Sequence, residues 1–316
     1  MEEGTVSPQL GSREGSRSAA EATASPWALA HAEEVGRSFE PAPAGKVRVE
    51  LLTDPWSVWC WGMEPVRRAI EVRFPTIEFR PLVGGMFPRL PDPREIGFDV
   101  ERFFAVVQRT TGMPLRVDAT RKDRPESTYP ACVHVHVVRL LAPEKEAAYL
   151  RALREAVYLD ARNVSRVEVA ADVAEAVGVP AAEFREALES GEPLREFHSR
   201  MSMLNSLGLH AYPTVFVTWR DKTARVQGFQ SLPALLGVVE SVTGTMHAVL
   251  DAPPVAELVP DGERVATREV AEVLGTSVEQ AHDRLMDEVR AGTLVRERLE
   301  TGDVFRRPTN RGDATT

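Results

Sequence analysis

The residues best suited to chemistry are four in a row, Ser57-Val58-Trp59-Cys60. Two cysteines at this spacing would make a redox C-x-x-C pair. Here a hydroxyl stands where the first sulfur would be. The apolar run Val47 to Thr53 precedes them and a helical pattern opens at Glu64. The four residues therefore fall where a strand ends under a helix N-terminus. Unpaired N–H groups and the helix dipole at such a corner stabilise a thiolate. A serine does not ionise near neutral pH. Ser57 either caps the helix or donates a hydrogen bond to an incoming anion. Cys60 lies about one turn inward. It reads either as a remaining sulfur able to form a mixed disulfide or as a small buried apolar residue.

Aromatic residues crowd the same corner. Trp56, Trp59 and Trp61 fall within six positions, and at least one of them is expected to line a groove. Other chemistry is poorly supported. His134 and His136 are two apart on a presumed helix and face different ways, so no metal site is expected. Gly84-Gly85 lacks a phosphate-loop pattern, and Arg311-Gly312-Asp313 is a chance tripeptide.

The elements that must position the corner follow from periodicity. Val47 to Thr53 is a strand, Glu64 to Val72 a helix, and Ile77 to Val83 a strand ending at Gly84-Gly85. Such a unit implies a parallel strand pair. A Pro-rich loop covers Met86 to Pro93. Helices then follow: Val100 to Val107, Pro130 to Leu141, Lys145 to Arg162, Val167 to Val177, Ala181 to Leu188 and Pro193 to Leu207. Thr214 to Trp219 and Ala224 to Gly228 form a hairpin around Arg220-Asp221-Lys222-Thr223. Ser231 to Val242 is a closing helix.

A chain of 316 residues with 43% hydrophobic content has room for one large or two modest domains. A net charge of −9 excludes general attraction to nucleic acid or anionic membrane. Two cysteines make no secreted disulfide scaffold, the Met-Glu-Glu start is no signal peptide, and no membrane-spanning run is present. A cytoplasmic, reducing setting is expected.

The order strand, helix, strand, helical block, strand, strand, helix is that of a thioredoxin-like α/β fold with a helical insertion. At this point the sequence resembles a family. D-P-W-S-V-W-C-W-G-M-E-P, from Asp54 to Pro65, resembles the D-P-x-C-x-W-C-W-G-x-E-P segment of DsbA-family proteins of the Spx-adaptor and FrnE-like type. Ser127 to Cys132, S-T-Y-P-A-C, resembles their S-x-Y-P-A segment. Ala211 to Phe216, A-Y-P-T-V-F, looks like the cis-proline segment of the fold. The resemblance covers about residues 47 to 243.

It implies a cis Pro213 facing the corner, with the Tyr212 backbone presented as a strand-like edge to a peptide or to glutathione. The family's nucleophilic cysteine aligns with Ser57, which counts against dithiol exchange by the C-x-x-C route. In related kappa-class glutathione transferases a serine near this corner hydrogen-bonds the glutathione thiolate. Two functions follow as expectations. One is an oxidoreductase- or isomerase-like protein holding glutathione or another low-molecular-weight thiol, with Ser57 and Cys60 as the chemical residues and Trp59, Tyr212 and Pro213 as the binding residues. The other is a non-catalytic adaptor that binds a protein partner in the same groove.

The domain organisation expected is a disordered leader at 1–45, a DsbA-like domain at 46–245 with its insertion at about 95–210, and a linker at 246–262. A winged-helix-like unit at 263–308 and a tail at 309–316 complete it. In that unit Thr267 is expected to cap a helix at Arg268 to Leu274. Thr276 with Glu279 forms a capping-box pattern for a second helix. Thr293 to Arg298 and Asp303 to Arg307 form a two-stranded wing. The second helix carries Glu279, Asp283, Asp287 and Glu288, a poor surface for DNA.

Overall fold

The computed structural model describes residues 45–116, 118 and 123–308. The leader, whose apolar Trp27, Leu29 and Ala30 the sequence offers as a docking segment for a partner, and the tail lie outside them, apart from Gly45 at the leader's last position.

Strand β1 (Val47–Thr53) is buried at all seven positions. It is an inner strand of a four-stranded sheet of order β2-β1-β3-β4, with β2 at Ile77–Val83, β3 at Thr214–Trp219 and β4 at Lys222–Gln227. β1 runs parallel to β2 and antiparallel to β3, and β3 and β4 form an antiparallel hairpin. Alternation divides the strands between two faces. Val47, Val49, Leu51, Val215 and Val217 pack on one side against α2 (Glu64–Arg73) and α9 (Leu232–Thr243). Leu52, Leu82 and Phe216 pack on the other against the helical block. Pro81 falls in edge strand β2, where a missing N–H is tolerated.

The corner helix α1 (Val58–Trp61) is one turn long. The block consists of α3 (Val100–Thr111), α4 (Tyr129–Leu141), α5 (Glu146–Tyr158), α6 (Val167–Ala176), α7 (Ala181–Glu189) and α8 (Glu192–Ser206). The hairpin is tighter than its sequence implies. Trp219 pairs with Lys222, leaving only Arg220-Asp221 in the loop, and Arg220 takes the positive φ (55°) that a two-residue turn requires.

A second, small C-terminal sheet domain follows. Its strands β5 (Val265–Ala266), β6 (Val295–Leu299) and β7 (Gly302–Arg306) run in the order β5-β7-β6, with α10 (Thr267–Leu274) and α11 (Val278–Arg290) packed on them. Two capping expectations are corrected here. Ala266, not Thr267, precedes α10, and its N–H donates to Glu269 Oε2 at 2.8 Å. The capping box of α11 uses Ser277 and Gln280 rather than Thr276 and Glu279. β5 is too short for a two-residue alternation to show in sequence.

The small domain is fastened to the rest in two ways. Ala69 and Val72 of α2 enter its apolar core beside Val270 and Phe305. Next to them lies a buried network of charge. Arg151 of α5 grips Glu269 with both arms, at 2.9 and 3.0 Å, and reaches Glu64 at 3.2 Å. Arg68 reaches Glu269 at 3.0 Å, and Arg154 donates to both Glu64 and Thr53. The Arg151 guanidinium lies 4.6 Å from the Trp61 ring centre. Burial alone would raise the Glu64 carboxyl. Arg67, Arg151 and Arg154 outweigh it and hold the group well below the usual carboxylate range.

Removing one partner strands the other charges out of water. Glu269→Ala is therefore expected to cost about 3–5 kcal/mol in urea unfolding, and a loss below about 1 kcal/mol would contradict the network's importance. The folded Glu64 value is depressed, so its stabilisation is complete above the unfolded value of about 4.3. Stability should fall as the pH drops below that point, and less steeply in Glu64→Gln.

Candidate functional site: an apolar groove at the β1–α1 corner

Ser57 is the N-cap of α1, with extended backbone (φ −80°, ψ 103°), and its Oγ accepts the Cys60 N–H at 3.3 Å. It is 3% exposed. Cys60 is 0% exposed, and its sulfur sits 3.9 Å from the Leu52 carbonyl oxygen. Burial pushes the Cys60 thiol up, against the opposing pull of Arg154 and of the Ser57 hydroxyl. Cys60 and Cys132 are both free thiols. Burial and the adjacent Asp54 carboxyl push Cys132 well up.

Asp54, which sequence reasoning gave no role, organises the corner. It is fully buried at the end of β1. Its Oδ1 accepts the Trp56 N–H and its Oδ2 the Met86 N–H, both at 2.8 Å. Thr128 and the Cys132 thiol also bond to it. Burial still raises its carboxyl above the ordinary value. One carboxylate thus ties the turn into α1 to the loop leaving β2.

Between these two segments runs a groove of about 400 Å³. Ser57, Trp59 and Tyr212 line it together with Met86, Phe98 and Phe103. Sequence reasoning saw only a Pro-rich loop in this second wall. Phe87, Ile96 and Phe98 are exposed there, Ile96 at 58%. Arg124 is the sole charged residue among the described lining, and its guanidinium donates to the Pro91 carbonyl.

The three tryptophans have three different environments. Trp59 stands between Phe103 and Phe229, with ring centres 6.4 and 6.2 Å away. Trp56 lines the groove but is largely covered, and its indole N–H donates to Ser165 Oγ at 3.0 Å. Trp61 is not part of any rim. It is wholly buried, donates to the Pro114 carbonyl at 2.9 Å and stacks on Tyr158.

The Tyr212–Pro213 peptide bond is cis, and the Tyr212 hydroxyl donates to the Gly85 carbonyl at 3.2 Å. Pro213 itself is buried and does not line the groove. Gly84 and Gly85 are explained by close packing. A Cβ at Gly84 would meet Tyr212 Oη at 2.4 Å, and one at Gly85 would meet the Tyr129 ring at 2.6 Å. His134 and His136 are buried on α4, the first bonded to the Val164 carbonyl oxygen and the second 3.7 Å from Glu196. Among the described residues no group of three or more His, Cys, Asp or Glu is placed to hold a metal, and no helix is long and apolar enough to cross a membrane.

A family model described as Thioredoxin matches residues 51–235, more than half of the chain and the whole of this site. The chain belongs to the thioredoxin family. It is similar to the ClpXP adapter protein SpxH of Halalkalibacterium halodurans, with 22% identity over 253 residues covering 76% of this chain and 81% of that protein. SpxH of Bacillus subtilis is 21% identical over 249 residues, covering 77% and 83%. Among solved structures, a candidate protein disulfide isomerase from Nitrosomonas europaea superposes with a TM-score of 0.54 at 22% identity, over 62% of this chain and 97% of that one. A protein described as a probable DsbA oxidoreductase from Streptomyces coelicolor gives 0.52 at 20% identity, over 65% and 94%. The two structural likenesses show a thioredoxin-like fold.

Two buried thiols with raised pKa values have no access to reagent in this thioredoxin-family corner. With Ellman's reagent at neutral pH the folded protein should show no fast phase, and both cysteines should react once the chain is unfolded in guanidinium. A rapid one-equivalent reaction of the folded chain would contradict the burial of Cys60.

Proposed function

We propose that this chain is a protein-binding adaptor that receives an apolar segment of a partner in the groove beside Trp59 and Tyr212, without dithiol chemistry. The observation that carries this reading is the pairing of an apolar, open groove with a corner whose two thiols are both enclosed. A hydroxyl at position 57 cannot attack a disulfide near neutral pH, and Cys60 cannot reach one. Exposed Phe87, Ile96 and Phe98 extend the apolar surface outward, as a protein-binding patch would. The likeness to SpxH supports the same reading, and by that analogy the partner would be a protein delivered to a ClpXP-type protease. A reducing cytoplasm suits two cysteines kept as thiols.

The competing reading, a glutathione-like thiol held between Ser57 and the Tyr212 backbone, has one observation in its favour. The Ser57 hydroxyl lies at a helix N-terminus on the wall of the same groove. Against it stands the groove's lining. Glutathione carries two carboxylates, and Arg124 is the single cation available to them.

We read the C-terminal domain as a winged-helix-like packing unit rather than a nucleic-acid reader. Its β6–β7 turn is already engaged: Thr301 Oγ1 accepts the Leu115 N–H at 2.8 Å, and Gln108 donates to the Thr301 carbonyl at 3.2 Å.

The adaptor reading predicts that Trp59→Ala weakens recovery of the partner from a lysate by about 2 kcal/mol in affinity. Glutathione exchange should be equal in wild type, Ser57→Ala and Cys60→Ala. Undiminished partner recovery with Trp59→Ala would reject the adaptor reading. An exchange rate that falls in Ser57→Ala would favour the thiol site instead.

A further inference from the structure

A second cavity, about 840 Å³ in volume, lies beside edge strand β2 and shares no lining residue with the groove. Its walls come from β2, α4, the start of α5 and α8, and its floor from Glu50 of β1. Charged residues dominate it. Most are matched within the protein. Arg139 pairs with Glu196 at 3.2 Å, and Arg80 pairs with Glu78 at 2.6 Å. Two are not. Among the described residues, neither the Arg200 guanidinium nor the Glu146 carboxylate makes a hydrogen bond or ion pair, though both are half-buried and both line the cavity.

An unmatched cation and an unmatched anion facing one cavity describe a ligand with two opposite charges. We propose that this cleft binds a small zwitterion bearing a free carboxylate and a free amino group, the former seated on Arg200 and the latter on Glu146. Arg139 and Glu196, already paired to one another, would flank the two ends and set their orientation. The volume fits an amino acid or a short peptide and lies within the range of small-molecule sites. The titration of the two groups is consistent. Burial, then Arg139, pushes the Arg200 guanidinium down, while burial raises the Glu146 carboxyl despite the pull of Arg139 and Arg200. Glu196, Glu146 and Glu50 oppose the first shift, yet burial outweighs them, so each charged form would gain from the direct counter-charge that a zwitterion brings. A lone anion would leave Glu146 unmatched, and a lone cation would leave Arg200 so. The site is distinct from the partner groove and stands whether or not the adaptor reading holds.

The test is calorimetric titration of the full chain with L-alanyl-L-alanine, beside L-alanine, propionate and propylamine. Arg200→Gln and Glu146→Gln keep most of the side-chain volume, and thermal melts of both establish that they fold. The dipeptide or the free amino acid should bind, with propionate and propylamine each about tenfold weaker or worse, and each variant should lose about tenfold in affinity. Tighter binding of the dipeptide assigns the site to peptides, and equal or tighter binding of alanine assigns it to free amino acids. The proposal is overturned if neither zwitterion binds, if binding survives in either variant, or if a singly charged probe binds as well as the zwitterions.

Discussion

The corner rests on one carboxylate. Asp54 is taken wholly out of water, and it is retained there because two backbone N–H groups, a hydroxyl and a thiol converge on it. Those N–H groups belong to Trp56 and Met86, the first residues of the groove's two walls. Were the carboxylate lost, each buried N–H left without an acceptor would cost about 1–3 kcal/mol, and the two walls would no longer be held at a fixed separation. The cap made by Ser57, the enclosure of Cys60 and the stance of Trp59 all follow from where Asp54 pins the chain.

The same corner is braced from behind. Arg154 reaches Thr53 at the end of β1 and Glu64 at the start of α2, while Arg151 spans from Glu64 to Glu269 of the C-terminal domain. The small domain is thus continuous, through buried ion pairs, with the strand and helix that frame the site. Buried pairs of this kind add less to net stability than their number suggests, because desolvation offsets much of the attraction. Their geometry joins the domain to α2 and α5 at named atoms. The turn between β6 and β7 is seated on Leu115, which ties that end of the domain to the loop after α3.

Much of the fold was legible because its strands are buried on schedule. β1, β2 and β3 begin and end where their apolar runs do, and the helical block follows its 3–4 spacing closely. The turns were less legible. Lys222 and Thr223 are polar and look like loop, yet they pair with Trp219 and Thr218, because a two-residue turn closes the hairpin earlier. In the site, Ser57 and Trp59 were identified from local pattern and Tyr212 from the family resemblance, and all three line one groove. Asp54 and the wall from Met86 to Phe103 were not. An acid at a strand end has no periodic signature, and a Pro-rich loop does not reveal which aromatic side chains it turns inward. The Glu64–Arg151–Glu269 network joins residues about a hundred or more positions apart, and each alone reads as an ordinary charge on a helix surface.

We propose that this is a dithiol corner complete except for one sulfur. It is tested most directly by measuring reduction of insulin disulfides by wild type and Ser57→Cys side by side. The account predicts no catalysis above background by wild type, and clear turnover by the variant through a disulfide between the introduced thiol and Cys60. Turnover by wild type, or a Ser57→Cys protein that folds yet never forms that disulfide, would contradict it.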